Sequence, residues 1–490
     1  MGRIDNFNHQ AYYAALKAHD SRFDGRFFVG VSSTGIYCRP VCRVKTPKEE
    51  NCTFYNSAAS AEANGYRPCL KCRPELAPGI APIDATAHLA RKAARLIESD
   101  LSYDSSLEEL AQLLGVTDRH LRRVFVAEYG VAPVQYKQTY RLLLTKSLLT
   151  DTQLTVTDVA FAAGFGSVRR FNTLFQKHYR MTPSSLRKQA KPLDAAERDS
   201  ITLFLGYRPP YRWDSILAFL EGRAIPGVEL VFDHAYHRTV VMPHNGQVHR
   251  GWLTVRHDEK KHVLALTISE ALLPVASKVL ARVKHLFDLY CEPEEVYRTL
   301  DVMNHIKAGI CVPGTRLPGS FDAFEMAVRA VLGQQITVKA AQTLAMRIVE
   351  KMGAEIITPI AGLTHTFPTA ADFCSLDHIE DHLGVLGVTR TRSRSIQALA
   401  MGLLNGEIEL TPNADPALQM QKLLDLPGFG PWTVQYIAMR ALSWPDAFPH
   451  TDYGVKKALE GYSAKDILAL AEAWRPWRAY ATINLWNSLG

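Results

Sequence analysis

The sequence predicts a multidomain protein, mainly α-helical with α+β parts. A small cysteine-rich α/β domain and an all-α helix-turn-helix domain precede a β-rich α+β domain and a last all-α domain. Three observations carry this. The chain has 490 residues, 47% of them apolar, enough for about three or four domains with a core each. Five of its eight cysteines stand between residues 38 and 72, four of them in two closely spaced pairs. The hydrophobic spacing is strand-like over 201–273 (VELVFD, RTVVM, HVLALTI) and helical from there almost to the end.

Seams fix the expected boundaries. APGIAPIDA (77–85) and KPLDAAERDS (191–200) read as linkers, and a softer change lies near 274–290. The expected domains are therefore 1–78, 85–190, 201–285 and 286–490. Charge divides unevenly between them: residues 1–190 hold 26 Lys+Arg against 17 Asp+Glu, and the remainder 30 against 32. A net +9 followed by −2 calls for a partner rich in negative charge, with nucleic acid the first choice. The chain shows neither a signal-peptide pattern nor an apolar stretch of about 18 residues, so a cytoplasmic protein without a membrane partner is expected.

In the first domain, GIYCRPVCR and YRPCLKCRP give C-x3-C, a gap of 26 residues, then C-x2-C. Cys38, Cys42, Cys69 and Cys72 are candidate zinc ligands, with disulfides or buried thiols as the alternatives. Such a site could be no more than a staple for a segment too small to fold well alone. Cys52 lies off both pairs and reads as a buried small residue. Arg39, Arg43, Lys45, Arg67, Lys71 and Arg73 crowd the ligands and suit phosphate. The segment 1–76, with Thr34-Gly35 and the Arg-Pro between the first two cysteines, resembles the N-terminal domain of the Ada-type DNA repair and adaptive-response regulators. The resemblance implies that Cys38 takes a methyl group from a methylphosphotriester in DNA while Cys42, Cys69 and Cys72 remain ligands. It also implies that Thr34, Arg39, Arg43, Lys45 and Arg67 face the DNA.

Residues 85–188 contain two similar patterns, SLEELAQLLGVTDRHLRRVFVAEYG and TVTDVAFAAGFGSVRRFNTLFQKHY. Each reads as helix, glycine turn and amphipathic second helix, which is helix-turn-helix geometry. Phe125, Phe165, Phe171 and Phe175 are expected in the core. Arg119, Arg123, Ser167 and Arg169 are expected to contact DNA. Ala160, Gly164-Phe165, Phe171, Phe175 and Met181-Thr182-Pro183 resemble the AraC-type regulator signature, which implies promoter DNA and RNA polymerase as partners. Two reading heads on one chain suit a monomer.

From residue 201 to its last residue the chain resembles the AlkA-type 3-methyladenine DNA glycosylases of the helix-hairpin-helix superfamily. Three segments carry the match: RLPGSFDAFEMAVRAVLGQQITV (316–338), LLDLPGFGPWTVQYIAMRAL (423–442) and FPHTDYGVKKAL (448–459). The glycines of LPGFG, Gly428 and Gly430, allow close backbone approach, and the following helix N-terminus offers N–H groups to a phosphate. Asp452 alone would be an ordinary helix cap; the resemblance makes it the catalytic carboxylate. Phe219, Trp432, Tyr436, Tyr453 and Trp486 match the aromatic positions around the family's base pocket. Trp432 stands where glycosylase/lyases carry a Schiff-base lysine, so strand cleavage is not expected. Where the family plugs the emptied stack with an apolar residue, this chain has Gln335 then Ile336, leaving the wedge open between them.

Together these features predict a methylation-sensing regulator fused to a monofunctional glycosylase, with zinc as cofactor and alkylated and promoter double-stranded DNA as partners. The rivals are a purely regulatory DNA-binding protein with a non-catalytic glycosylase-like half, and a zinc-thiolate redox sensor.

Overall fold

The computed structural model describes residues 9–20, 23–77, 88–99, 106–189, 200–244 and 246–489. The two expected linkers fall largely outside these residues. The chain forms two compact units: Met1–Pro209 with Asp258–Ala281, and Pro210–His257 with Arg282–Gly490.

In the first unit, helix α1 (His9–Lys17) leads into strands β1 (Phe28–Val31), β2 (Ile36–Cys38), β3 (Cys52–Tyr55) and β4 (Arg67–Pro68), with α2 (Ala58–Ala63) between the last two. The sheet order is β3-β1-β2-β4. β4 runs parallel to β2 with Tyr37 opposite Pro68, and the Cys69 N–H donates to the Tyr37 carbonyl at 3.0 Å. The register therefore sets Cys69 beside Cys38 although they are far apart in sequence. Phe27, Val29 and Phe54 form the core beneath.

Helices α3 (His88–Ser99), α4 (Leu107–Leu113), α5 (Asp118–Tyr129), α6 (Pro133–Asp151), α7 (Val156–Ala162), α8 (Val168–Tyr179) and α9 (Pro183–Gln189) follow. The pairs α4–α5 and α7–α8 are the two helix-turn-helix units. Their turns contain Gly115 at φ 68° and Gly164 at φ 81°, the left-handed region that glycine enters at least cost. Ser106 and Thr155 cap the first helices, Thr117 and Ser167 the second. Phe125, Phe165, Phe171 and Phe175 are all buried, so the aromatic periodicity belongs to the core, as expected.

Between the two heads, α6 is also fastened to the zinc-type domain. Lys146 is buried and donates to both oxygens of Glu75 at 2.7 and 2.8 Å. Arg73 bridges Glu75 and Asp151. Burial pushes the Glu75 carboxyl up, but Lys146 and Arg73 outweigh it and hold the group below its ordinary value. This contribution is complete above the unfolded carboxylate pKa and is lost as pH falls through the lower folded value. Lys146→Met should lower stability by about 3 kcal/mol, read as a drop in denaturant midpoint at neutral pH that shrinks on acidification. An unchanged midpoint would remove this pair as a fastening. Strand β5 (Ser200–Gly206) pairs antiparallel with β9 (Val263–Ser269) and completes this unit.

The second unit contains α10 (Trp213–Glu221) and the antiparallel strands β6 (Glu229–Phe232), β7 (Ala235–His244) and β8 (Gln247–Asp258). Helix α11 (Ala276–Leu286) is divided between the two units at Ala281; α12 (Pro293–Leu300), α13 (Ala323–Leu332), α14 (Val338–Met352), α15 (Ala370–Cys374) and α16 (Ile379–Gly384) belong to the second. After them stand α17 (Arg390–Leu404), α18 (Pro416–Leu424), α19 (Pro431–Arg440), α20 (Tyr453–Ala458), α21 (Ala464–Glu472) and α22 (Arg478–Asn487). The hairpin between α18 and α19 is the Leu426–Gly430 segment singled out in the sequence. No helix among the described residues is long and apolar enough to cross a membrane.

Candidate functional site

The four cysteines converge. The Sγ atoms of Cys38, Cys42, Cys69 and Cys72 all lie within 4.8 Å of one another. A tetrahedral zinc with sulfur at about 2.3 Å needs sulfurs about 3.8 Å apart, so the donor set fits that ion. With the sulfurs this close, the S–H groups of Cys38, Cys42 and Cys72 hold Cys69 well below the ordinary thiol value. Cys52 behaves differently. It lies in β3, donates to the Lys48 carbonyl at 3.4 Å, and is pushed up to about 11 by burial and Glu49, so it stays a packed thiol. Cys38, Cys42 and Cys69 are buried, whereas Cys72 is partly exposed; exposure does not single out Cys38.

The cations around the site separate into two kinds. Arg39, expected at the DNA face, is buried instead. Its guanidinium makes a two-point ion pair with Asp24 and donates to the Cys72 carbonyl at 3.1 Å. Its backbone N–H also donates to the Cys72 sulfur at 3.4 Å. Arg39 therefore braces the ligand loop, because a guanidinium already desolvated and paired has no donors to spare for phosphate. Arg73 is likewise committed to Glu75 and Asp151. Arg43, Lys45, Lys71 and Thr34 are exposed and Arg67 is half-buried, so these positions keep an outward face. On the second helices, Arg119, Arg123 and Arg169 are exposed. Ser167 is exposed too, and its hydroxyl caps α8 by accepting from the Arg170 N–H at 3.1 Å.

In the second unit the aromatic residues gather around Asp452. Trp432 and Tyr436, one turn apart on α19, stack with centroids 5.4 Å apart and planes at 5°. Trp486 from α22 lies 6.2 Å from Tyr436 and 6.3 Å from Phe219 of α10. Asp452 is both cap and site residue. One carboxylate oxygen accepts from the Gly454 N–H at 2.8 Å, the Val455 N–H at 3.2 Å and the Trp486 indole at 2.8 Å. The other accepts from the Trp432 indole at 2.9 Å. Four donors fix the orientation of the carboxylate among aromatic faces.

Tyr453 was expected in this pocket and is not part of it: the residue is 77% exposed. It directly follows the cap, and its ring is not among those packed on Trp432, Tyr436 and Trp486. Phe219 is a wall rather than an open stacking face, since the guanidinium carbon of Arg223 stands 3.8 Å from its ring centroid and that of Arg440 4.8 Å.

Three residues of the site escaped the sequence reading. Arg440 donates to the Tyr436 hydroxyl at 2.8 Å and to the Gly319 carbonyl at 2.9 Å. Burial raises the Tyr436 phenol, but Arg440, Arg223 and Arg329 outweigh burial and bring it below its ordinary value. Arg223 is the second. The third is Gly454, where a Cβ would lie 2.7 Å from Trp486 and 3.1 Å from the Asp452 carboxylate. The string Asp-Tyr-Gly was the available signal. Gly454→Ala should displace the Trp486 indole from Asp452 and slow base release by about tenfold or more, the scale of a misplaced catalytic hydrogen bond. Single-turnover release at wild-type rate would show that the indole bond is dispensable.

Gly428 sits at φ 80°, and a Cβ there would meet the Ser395 hydroxyl at 2.2 Å. That hydroxyl donates to the Pro427 carbonyl at 2.7 Å. The hairpin is thus pressed onto α17, and Gly430 forms the N-cap of α19.

Comparison with known proteins agrees with this architecture segment by segment. Family models match for the metal binding domain of Ada (11–75), a helix-turn-helix domain (110–189), the AlkA N-terminal domain (202–322) and the HhH-GPD superfamily base excision DNA repair protein (328–472). A probable bifunctional transcriptional activator/DNA repair enzyme AlkA of Mycobacterium tuberculosis is 37% identical over 486 residues, covering 97% of this chain and 96% of its own. DNA-3-methyladenine glycosylase 2 of Escherichia coli is 35% identical over 286 residues, 58% of this chain and 97% of its own. The bifunctional transcriptional activator/DNA repair enzyme AdaA of Bacillus subtilis is 31% identical over 182 residues, 36% of this chain and 82% of its own. With a relative of this length and likeness, and four family models in the same order, the chain belongs to the bifunctional transcriptional activator/DNA repair enzyme family that joins an Ada-type zinc domain and a helix-turn-helix regulator to an AlkA-type glycosylase.

Proposed function

We propose that the second unit hydrolyses the bond between deoxyribose and an alkylated base, with 3-methyladenine and 7-methylguanine as substrates. The observation that carries this reading is Asp452, fixed by four hydrogen bonds beside the Trp432–Tyr436 stack. The target base leaves the duplex and stacks on aromatic faces, where a cationic base gains from the ring quadrupole. As the glycosidic bond breaks, positive charge grows on the sugar. Asp452 stabilises it in a water-poor site. Water adds to the sugar carbon, the base leaves with the bonding electrons, and an abasic site remains. Gln335 or Ile336 fills the emptied stack, while Gly428 and Gly430 bring backbone N–H groups to a phosphate. A methylated duplex incubated with the protein should release free alkylated bases, separable by chromatography. No release by the wild type would leave the purely regulatory reading.

The first unit, on this proposal, senses methylphosphotriesters. Cys38, Cys42, Cys69 and Cys72 would hold a zinc ion, which would keep their sulfurs ionised at neutral pH. The Cys38 sulfur attacks the methyl carbon, a C–S bond forms, the C–O bond breaks, and the phosphodiester leaves as an anion. The thioether is neutral, so a site charge of about −2 falls to about −1 and repels the DNA backbone less. Arg43, Lys45, Arg67, Thr34, Arg119, Arg123, Ser167 and Arg169 hold promoter DNA, and RNA polymerase is the further partner of a monomer. Mass spectrometry after exposure to methylphosphotriester DNA should find one added methyl on Cys38. Methyl on Cys72, the more exposed ligand, would reassign the acceptor.

A further inference from the structure

We propose that Gln334 and Arg392 are positioning residues that hold Gln335 as the wedge of the base-flipping step. The proposal rests on the reading that the second unit flips bases and deepens it by assigning the group that enters the stack.

The turn between α13 and α14 is unusual at one position. Gln335 has φ 55°, a left-handed conformation that is unfavourable for a residue with a Cβ. It is exposed at the tip, whereas Ile336 is half-buried. A non-glycine residue in this region persists only when its surroundings over-determine it. The surroundings are Gln334 and its partners. The Gln334 amide donates to the Gly428 carbonyl at 2.9 Å and to the Thr433 hydroxyl at 2.9 Å. Its backbone carbonyl accepts from the Arg392 guanidinium of α17. The peptide unit entering Gln335 is thus held from one side by an arginine, while the preceding side chain is clamped to the hairpin and to the first turn of α19.

Two consequences follow from this bonding. The Gln335 side chain is projected outward, and Ile336 is turned toward the protein. The wedge turn is also joined to the hairpin, so a phosphate grip at Gly428–Gly430 and insertion at Gln335 occur as one rigid body. Energy from non-specific backbone binding then bears directly on opening the stack.

The test uses the full-length zinc-loaded protein and a duplex with one 7-methylguanine next to 2-aminopurine, whose fluorescence rises when stacking is broken. Arg392→Met and Gln334→Leu should each lower the amplitude of that rise. They should also reduce the ratio of duplex to single-strand release by about tenfold, the worth of a strong hydrogen bond. Arg392→Lys, which can still donate to the carbonyl, should recover most of it. Thr433→Val removes one bond only and should give a smaller loss in the same ratio. A proportional loss on single and double strands, or no rescue by lysine, would overturn the positioning role. If Gln335→Ala keeps the full fluorescence rise, the wedge assignment falls. If Gln335→Ala loses the rise and the Arg392 and Gln334 variants keep it, only the positioning proposal falls.

Discussion

Asp452→Asn is expected to lower base release by about 10²–10³-fold, the scale of removing one preorganised electrostatic group from an active site. The substitution keeps the size of the side chain and one carbonyl oxygen, so the cap of α20 can still accept from the Gly454 and Val455 N–H groups. What it removes is the full negative charge. It also sets an amide NH₂ against an indole N–H, because Trp432 and Trp486 each donate to a different carboxylate oxygen. The variant should therefore melt close to wild type while single-turnover release collapses. DNA binding should persist, since the hairpin is untouched. Retention of more than a tenth of the wild-type rate would mean that the aromatic pocket and the cationic leaving group do most of the chemistry, and that Asp452 is chiefly a cap.

The second large effect concerns the cysteines. Cys69→Ala, or removal of metal by a strong chelator, is expected to unfold the β1–β4 sheet domain. Cys38, Cys42 and Cys69 are themselves part of the buried core of that sheet, and ligand binding to a structural zinc site is worth about 10 kcal/mol or more at neutral pH. Cys69 directly follows β4, whose pairing with β2 sets the two cysteine pairs side by side; the substitution keeps its backbone bond to Tyr37 and removes only the ligand. Loss of zinc, measured by a chromogenic chelator, should coincide with loss of sheet signal and of promoter binding. Glycosylase activity of the second unit should remain. A chelated protein that kept the sheet domain folded would reduce the zinc to a purely chemical role.

Much of this was legible in the sequence because it rests on local rules. Cysteine spacing announces a four-thiolate site, a glycine between two amphipathic stretches announces a helix-turn-helix, and LPGFG followed by an aspartate announces the hairpin and its carboxylate. Long-range pairing was not legible. Arg39 looks like any cation beside a nucleic-acid site until Asp24, fifteen residues earlier, is seen to neutralise it. Arg440 lies on a helix whose apolar residues advertise burial; its partner Tyr436 is one turn back on that helix, but its other partner, the Gly319 carbonyl, lies 121 positions away. Tyr453 fails for the opposite reason. It sits in a motif that is otherwise all site, and sequence adjacency does not say which way one residue of a cap turns. Gln334 carries no local signal of its role, because its bonds reach nearly a hundred positions along the chain.

Helix α6 has a consequence for the DNA rather than for the protein. Its 19 residues span about 28 Å at 1.5 Å per residue, and it carries one reading head at each end while Lys146 anchors it to Glu75. Two heads on a stiff rod behave as a ruler. A duplex repeats its major groove about every 34 Å, and a rod shorter than that repeat would favour operators that bend toward the protein. Operators for such a regulator would be selected for flexible steps between the contacted blocks as much as for the bases within them. Inserting half a helical turn between the blocks would defeat binding outright, whatever the sequence.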